Sequence, residues 1–288
     1  MTRTTHLLPR HPKTFRPLAG VRVLSLALNL PGPVALARLR GLGACVRKIE
    51  PPSGDPMRGM CAALYRAMHR GVAVQTLDLK TAPGQAALHE ALRASDLLLT
   101  AFRPAALARL GLDSATLAAA HPHLSTVSVV GHPGRRANQP GHDLTYQAEA
   151  GLIDTARMPS TLVADMTGAL VVMEAAMGAV MQARASGCGA HLQVALSDAA
   201  RFAALPRDTG LTETGALLGG GLPGYAVYPC RDGVVAVAAL EPHFAEALAR
   251  IAGGASRAAL ARWCKMHGAA ELEALAAEHD LPLQAWPL

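Results

Sequence analysis

Asp165 stands in "TLVADMTGAL", directly ahead of a long apolar stretch. Aspartate there suits a helix N-cap. It also suits chemistry, because the helix dipole favours the ionised carboxylate, which can act as base or nucleophile. The two roles are compatible. His142, in "GHDLTYQAEAG", has an aspartate beside it and an aromatic close behind. It reads either as a helix-start residue or as a proton carrier, and its neighbours leave both open. Glu241, in "AALEPHF", is an acid ahead of a helix begun by Pro242. Arg103, in "AFRPAALARLG", follows a strand end, where α/β proteins place ligand contacts; a solvated helix-start charge is the plainer account. "NLPGP" is no G-x-G-x-x-G, so a dinucleotide fingerprint is absent, and no His, Cys and carboxylate cluster has metal-ligand spacing. No metal site is expected.

The elements that must hold these residues alternate. "VRVLSLAL" is a short apolar run rich in strand formers, and "CVRKIE", "VAVQTLDL", "DLLLTAF" and "LSTVSVVG" read as the strands that follow it. Helical patterns such as "PVALARLRGLG" and "GQAALHEALRAS" lie between them. That order predicts an α/β fold, a doubly wound and mostly parallel sheet of Rossmann-like type covered on both faces. Residues 166–185 form a helix apolar on all sides, which predicts burial in a soluble core. Glu174 in its middle argues against a membrane span, since a carboxylate at a bilayer centre costs roughly 2.5–3.5 kcal/mol. "AHLQVAL" is a further strand, and "YAVYPCRDGVVAVAAL" a hairpin with Asp232-Gly233 at its turn. The expected organisation is a large domain over 1–205, a glycine-rich linker at 206–221, a small α+β domain at 222–281 and a tail at 282–288.

Composition narrows the function classes. Of 288 residues 51% are hydrophobic and 17% charged, enough for a sizeable core. Aromatics make up only 3%, which counts against the base-stacking surface of a single-strand nucleic-acid binder. The net charge of +6 is modest and scattered, and on charge alone a polyanionic small molecule suits it as well as a nucleic acid does. Five cysteines without C-x-x-C spacing read as reduced thiols of a cytoplasmic protein. The opening "MTRTTHLLPRHPKTFRP" lacks the apolar core of a secretory signal and reads as a frayed tail.

"PLAGVRVLSLALNLPGPVALARLRGLGACVRKIEPPSGDP", "TLDLK", "FRPAALARLGL", "PGHDLTYQAEAGL", "VADMTGAL" and "SGCGAHLQVALSDA" together resemble, block by block and in order, the class III CoA-transferase family of CaiB/BaiF type. The resemblance runs from about Pro17 to Phe244, and its motifs are nearest the α-methylacyl-CoA racemase branch. It implies acyl-CoA as substrate, with coenzyme A bound as part of that substrate and no permanent cofactor. In the transferases the aspartate matching Asp165 forms acyl-aspartyl and aspartyl-CoA intermediates. In the racemases it is an acid/base group, and a "GHD" histidine and an "EPQF" glutamate, here His142 and Glu241, form the opposing arm. The resemblance further implies CoA contacts at Lys48, Arg70 and Arg103. This chain departs from the racemases at Thr161, where they carry asparagine, and at Ala105, where the family has glycine. The family forms interlocked dimers; with the sequence ending at Leu288, short of the family's C-terminal segment, a homodimer without full interlocking is expected. Three readings follow: racemisation of a 2-methylacyl-CoA, CoA transfer between carboxylic acids, and acyl-CoA binding without turnover. Neither a nucleic-acid nor a membrane partner is expected.

Overall fold

A computed structural model describes residue 12 and residues 14–153 and 155–288. The expected N-terminal tail lies almost entirely outside the described residues. The chain divides into two compact units, Met1–Ala204 and Leu205–Leu288.

The first unit runs β1 (Arg22–Ser25), α1 (Pro31–Gly41), β2 (Cys45–Glu50), α2 (Met57–Met60), α3 (Ala62–Met68), β3 (Ala73–Thr76), α4 (Ala82–Arg93), β4 (Leu97–Thr100), α5 (Pro104–Arg109), α6 (Ser114–Ala120), β5 (Ser125–Val130), α7 (Asp143–Glu149), α8 (Val163–Ser186) and β6 (His191–Ala195). The six strands form one sheet in the order β3-β2-β1-β4-β5-β6, and every pairing is parallel. This is the strand order of a doubly wound α/β fold. Alternation along the strands divides the core. Val23, Leu97, Leu99, Val127 and Val129 pack with α1, α7 and α8, whereas Leu24 and Leu98 pack with α4, α5 and α6. Because both faces are covered, Leu97, Leu98 and Leu99 are all fully buried.

α8 corrects one expectation. Ala164, Ala169, Val172, Ala176 and Ala179 form its fully buried side, where small residues admit close approach to the sheet. Its other side exposes Met166, Leu170 and Met181 by 40%, 47% and 69%. The helix is apolar all round yet buried on one side only. Among the described residues it is the one helix long and apolar enough to cross a membrane.

α9 (Leu196–Asp208) carries the chain out of the first unit, so the expected linker begins inside a helix. Buried Leu196, Ala199, Ala200 and Ala204 recur at helical spacing and hold that helix in place. The second unit contains β7 (Tyr225–Cys230), β8 (Gly233–Ala238), α10 (Pro242–Ala252), α11 (Arg257–Met266), α12 (Ala269–Glu278) and β9 (Leu283–Pro287). Its antiparallel sheet, β7-β8-β9, packs with these helices around Val235, Trp263, Cys264 and Leu272. The hairpin loop is Arg231-Asp232, one residue earlier than expected: Gly233 pairs with Cys230 as a strand residue, and a side chain there would overlap the Trp286 carbonyl. The expected tail is instead β9, paired to β8 from Leu283 to Pro287. All five cysteines are free, and Cys230 and Cys264 are buried in this second core.

One charged cluster is built into the first unit. The Lys48 ammonium, fully buried, meets Asp55, Glu50 at 3.1 Å and Nε2 of His69 at 2.8 Å. Nδ1 of His69 lies 2.7 Å from the Tyr65 carbonyl, so Nδ1 carries the proton and Nε2 accepts from Lys48. Burial works to raise the Glu50 carboxyl, but hydrogen bonds from Tyr65 and Lys48 bring it below its ordinary value. Asp55 also accepts the N–H groups of Asn29 and Met57, at 3.1 and 2.9 Å. The cluster therefore ties β2 to the loop after β1. Removing one partner of a buried ion pair strands the other charge, so Lys48→Ala should lower stability by about 3–5 kcal/mol. Denaturant unfolding followed by circular dichroism checks this, and an unchanged midpoint would show that the cluster does not hold the fold.

Candidate active site

The loops after β1 and β4 leave the sheet toward opposite neighbours, since β1 leads to β2 on one side and β4 to β5 on the other. In open α/β sheets the crevice outside the carboxyl ends at such a point is where ligands bind. A cavity of about 240 Å³ lies there. Asn29 and Pro31 after β1, Arg103 after β4, Gly131 after β5, and His142, Tyr146 and Asp165 from α7 and α8 are in its wall.

Asp165 sits in the first turn of α8 and is not its N-cap, which is Leu162. The capping is done from another helix. Asp143, buried in the first turn of α7, accepts the Asp165 N–H at 2.9 Å through Oδ1, and its Oδ2 accepts from Gln147. Gln147 also donates to the Thr161 carbonyl at 3.2 Å, so the backbone ahead of α8 is fixed as well. The Asp165 carboxyl is half-buried. Burial first, and the neighbouring Asp143 charge second, push it up to about 7.

His142 is the N-cap residue of α7 and is exposed; its N–H donates to Thr145 Oγ1 at 3.2 Å. The structure thus brings His142, Asp165 and Arg103 to one cavity. Arg103 is exposed at the start of α5, which is held to the β5–α7 loop by the Ala105 N–H bonded to Asn138 at 3.0 Å. Glu241 is the N-cap residue of α10 in the second unit. Arg70 is exposed in the turn before β3, outside the cavity wall. Lys48 requires correction. Its ammonium is enclosed by Asp55, Glu50 and His69 and is 0% exposed, so it is a structural counter-ion closed to a CoA phosphate. Glu50, Asp55 and His69 are also the one group of described residues with donor atoms close enough for a metal, and the Lys48 ammonium lies against all three.

Two residues of the site were not singled out from the sequence. Asp143 had only its place beside His142 to mark it. Tyr146 is 3% exposed and stands edge-to-face against His132, with ring centroids 5.3 Å apart. Burial first, and the Asp165 charge next, raise its phenol, with Arg103 opposing.

The model of CoA-transferase family III matches residues 18–285. The chain belongs to CoA-transferase family III. A succinate–glutarate CoA-transferase from Agrobacterium fabrum is 32% identical over 210 residues, 65% of this chain and 52% of that protein. A human alpha-methylacyl-CoA racemase is 28% identical over 251 residues, 80% of this chain and 63% of that protein. The chain spans about half the length of the curated relatives it matches first. A solved structure of a hypothetical protein from Mycobacterium tuberculosis shares the fold, with a TM-score of 0.81 and 24% identity over 95% of this chain and 86% of that one.

The Asp165 carboxyl links stability to pH. Its unfolded value is the ordinary 3.8, and its folded value is about 7. Below the lower value both states hold the proton; between the two only the folded state does, so stability falls as pH rises across that window and then levels. Asp165→Asn removes this dependence. Relative to the parent protein it should gain on the order of a few kcal/mol between about pH 4 and about pH 8, read from urea midpoints at both ends. A difference that does not change with pH would show an ordinary Asp165.

Proposed function

We propose that the site carries out CoA transfer between carboxylic acids through covalent intermediates on Asp165. The observation that supports it best is the placement of a half-buried carboxylate, raised to about 7, in the cavity at the carboxyl ends of β1, β4 and β5. The transferase named among the relatives supports the same reading.

The chemistry follows from a poorly solvated, basic carboxylate. Asp165 attacks the thioester carbonyl of the donor acyl-CoA. The C–S bond breaks, CoA leaves as thiolate, and an acyl-aspartyl anhydride remains. The thiolate then attacks the aspartyl carbonyl and expels the donor acid, leaving an aspartyl-CoA thioester. The acceptor carboxylate attacks that thioester, releasing the thiolate and forming a second anhydride. Attack of the thiolate on the acceptor's acyl carbon yields the new acyl-CoA and restores Asp165. No net proton moves. Arg103 is the cation in the cavity wall that suits the CoA phosphates or the acid's carboxylate.

Racemisation by α-proton transfer is the second reading. It is supported by His142 in the same cavity as Asp165 and by a carboxyl near pH 7, a value suited to a general base. Glu241 enters that reading through the family resemblance.

Succinyl-CoA with glutarate as acceptor tests the transfer. The protein should form glutaryl-CoA, with a rate rising through about pH 7 as Asp165 ionises. The Asp165 peptide should carry CoA by mass spectrometry, and Asp165→Asn should lose about 10³-fold or more in rate. Full turnover by that variant excludes Asp165 as the covalent carrier. Deuterium entering the α-carbon of a 2-methylacyl-CoA in deuterium oxide, without any acceptor acid, would favour the racemase instead.

A further inference from the structure

Tyr146 sits in a slot made for its phenol. A Cβ at Gly131, just past β5, would overlap the Tyr146 hydroxyl, and one at Gly141 would lie 2.7 Å from it and 2.6 Å from Cε1. Any side chain at either position would push the ring out. The loop carrying both glycines is held against α7 by Arg136, which donates to Glu149 at 2.8 and 3.0 Å and lies 3.2 Å from Nε2 of His132, the residue packed on the ring. The ring is thus fixed on three sides, and its residue lines the cavity beside Asp165. Among the described residues nothing accepts from or donates to its hydroxyl, and although Tyr146 as a residue is only 3% exposed, that oxygen is not one of the enclosed unpartnered atoms and so stays accessible. A buried tyrosine normally finds a partner for that group.

Pro31 and Pro140 in this wall have no N–H, and the Asp165 N–H is taken by Asp143. Asn29, Arg103, Gln139 and His142 are the wall's other side-chain donors, of which Arg103 and His142 are exposed whereas the Tyr146 ring is fixed. The phenol is kept protonated at neutral pH, because burial and the Asp165 charge raise it. It is a pre-positioned neutral donor beside a nucleophilic carboxylate.

We propose that the Tyr146 hydroxyl donates a hydrogen bond to the thioester carbonyl oxygen of the acyl-CoA and stabilises the charge that develops there when Asp165 attacks. This rests on the transfer reading above and adds to Asp165 and Arg103 a further residue that touches the substrate. As the Asp165 oxygen bonds to the carbonyl carbon, the C=O pair moves onto oxygen and is held by the phenol, which keeps its proton. The pair returns as the C–S bond breaks, and the bonding pair leaves with sulfur. A donor fixed in a partly dry site costs little reorganisation at that moment.

Tyr146→Phe keeps the ring in its slot and removes only the donor. With succinyl-CoA and glutarate, kcat should fall about 10²–10³-fold, with KM for succinyl-CoA changed only a few-fold. The infrared carbonyl stretch of bound succinyl-CoA carrying ¹³C at the thioester carbon should lie below its solution position in the parent protein and move back toward it in Tyr146→Phe. Thermal unfolding of the variant should match the parent, since no protein hydrogen bond is lost. An unchanged kcat or an unchanged carbonyl band in Tyr146→Phe, with Asp165→Asn inactive, overturns the role of Tyr146 and leaves the transfer reading standing. Full turnover by Asp165→Asn, or no succinyl-CoA bound by the parent protein, overturns both.

Discussion

The hydrogen bond from the Asp165 N–H to the Asp143 carboxylate joins the two helices on which the cavity is built. α8 has no side-chain cap of its own, and a helix start leaves N–H groups without partners. Asp143 supplies one from α7, and that tie fixes three things together. It sets the first turn of α8, and with it the position of the Asp165 carboxyl. It places His142, one residue before Asp143, at the same cavity. It also brings a second negative charge near Asp165, which adds to the effect of burial on that carboxyl. A neutral cap would have given the same helix start without the electrostatic consequence.

The opposite wall depends on a different buried charge. Asn29 adopts φ 66°, a left-handed conformation uncommon for a residue with a side chain. Its N–H is held by Asp55, and Asp55 is held by the Lys48 ammonium. A buried ion pair is poor evidence for net stability, because desolvation offsets the attraction. Here it has a local use: it keeps the loop after β1 in a turn that an isolated chain would seldom adopt. Both walls of the cavity are therefore set by carboxylates that accept backbone N–H groups across a distance in sequence.

Much of the fold was legible in the sequence, and the reasons are local. β2 was bounded correctly at Cys45–Glu50 because a glycine turn before it and the turn-rich "PPSGDP" after it mark its limits. The alternation of strands and helices led directly to the parallel sheet. Features that depend on distant partners were not legible. Lys48 looked like a basic residue near a strand end; its partners Asp55 and His69 lie 7 and 21 residues further on, and only the fold brings them around it. α8 was apolar on every side, and no pattern along one chain says which side the sheet will cover. β9 was missed because a short C-terminal run shows nothing of the β8 edge it pairs with. Asp165, His142 and Arg103 were marked by type and position, whereas the room for the Tyr146 ring comes from the absence of side chains at two glycines outside α7.

The causes that raise the Asp165 carboxyl bear on covalent chemistry as well as on protons. Burial and the Asp143 charge act alone there, without an opposing cation of comparable effect. Both disfavour the ionised form whatever neutralises it. A proton does so, and so does an acyl group or a CoA thioester, since each converts the carboxylate to a neutral carbonyl derivative. In the proposed reaction the covalent intermediates on Asp165 therefore relieve the same unfavourable charge that raises its proton affinity. The site need not bind the intermediates tightly through added contacts to favour them over the free carboxylate. The return of negative charge to Asp165 at the end of the cycle is the step opposed by this environment: as the thiolate bonds to the acceptor's acyl carbon, its charge passes to the expelled Asp165 carboxylate.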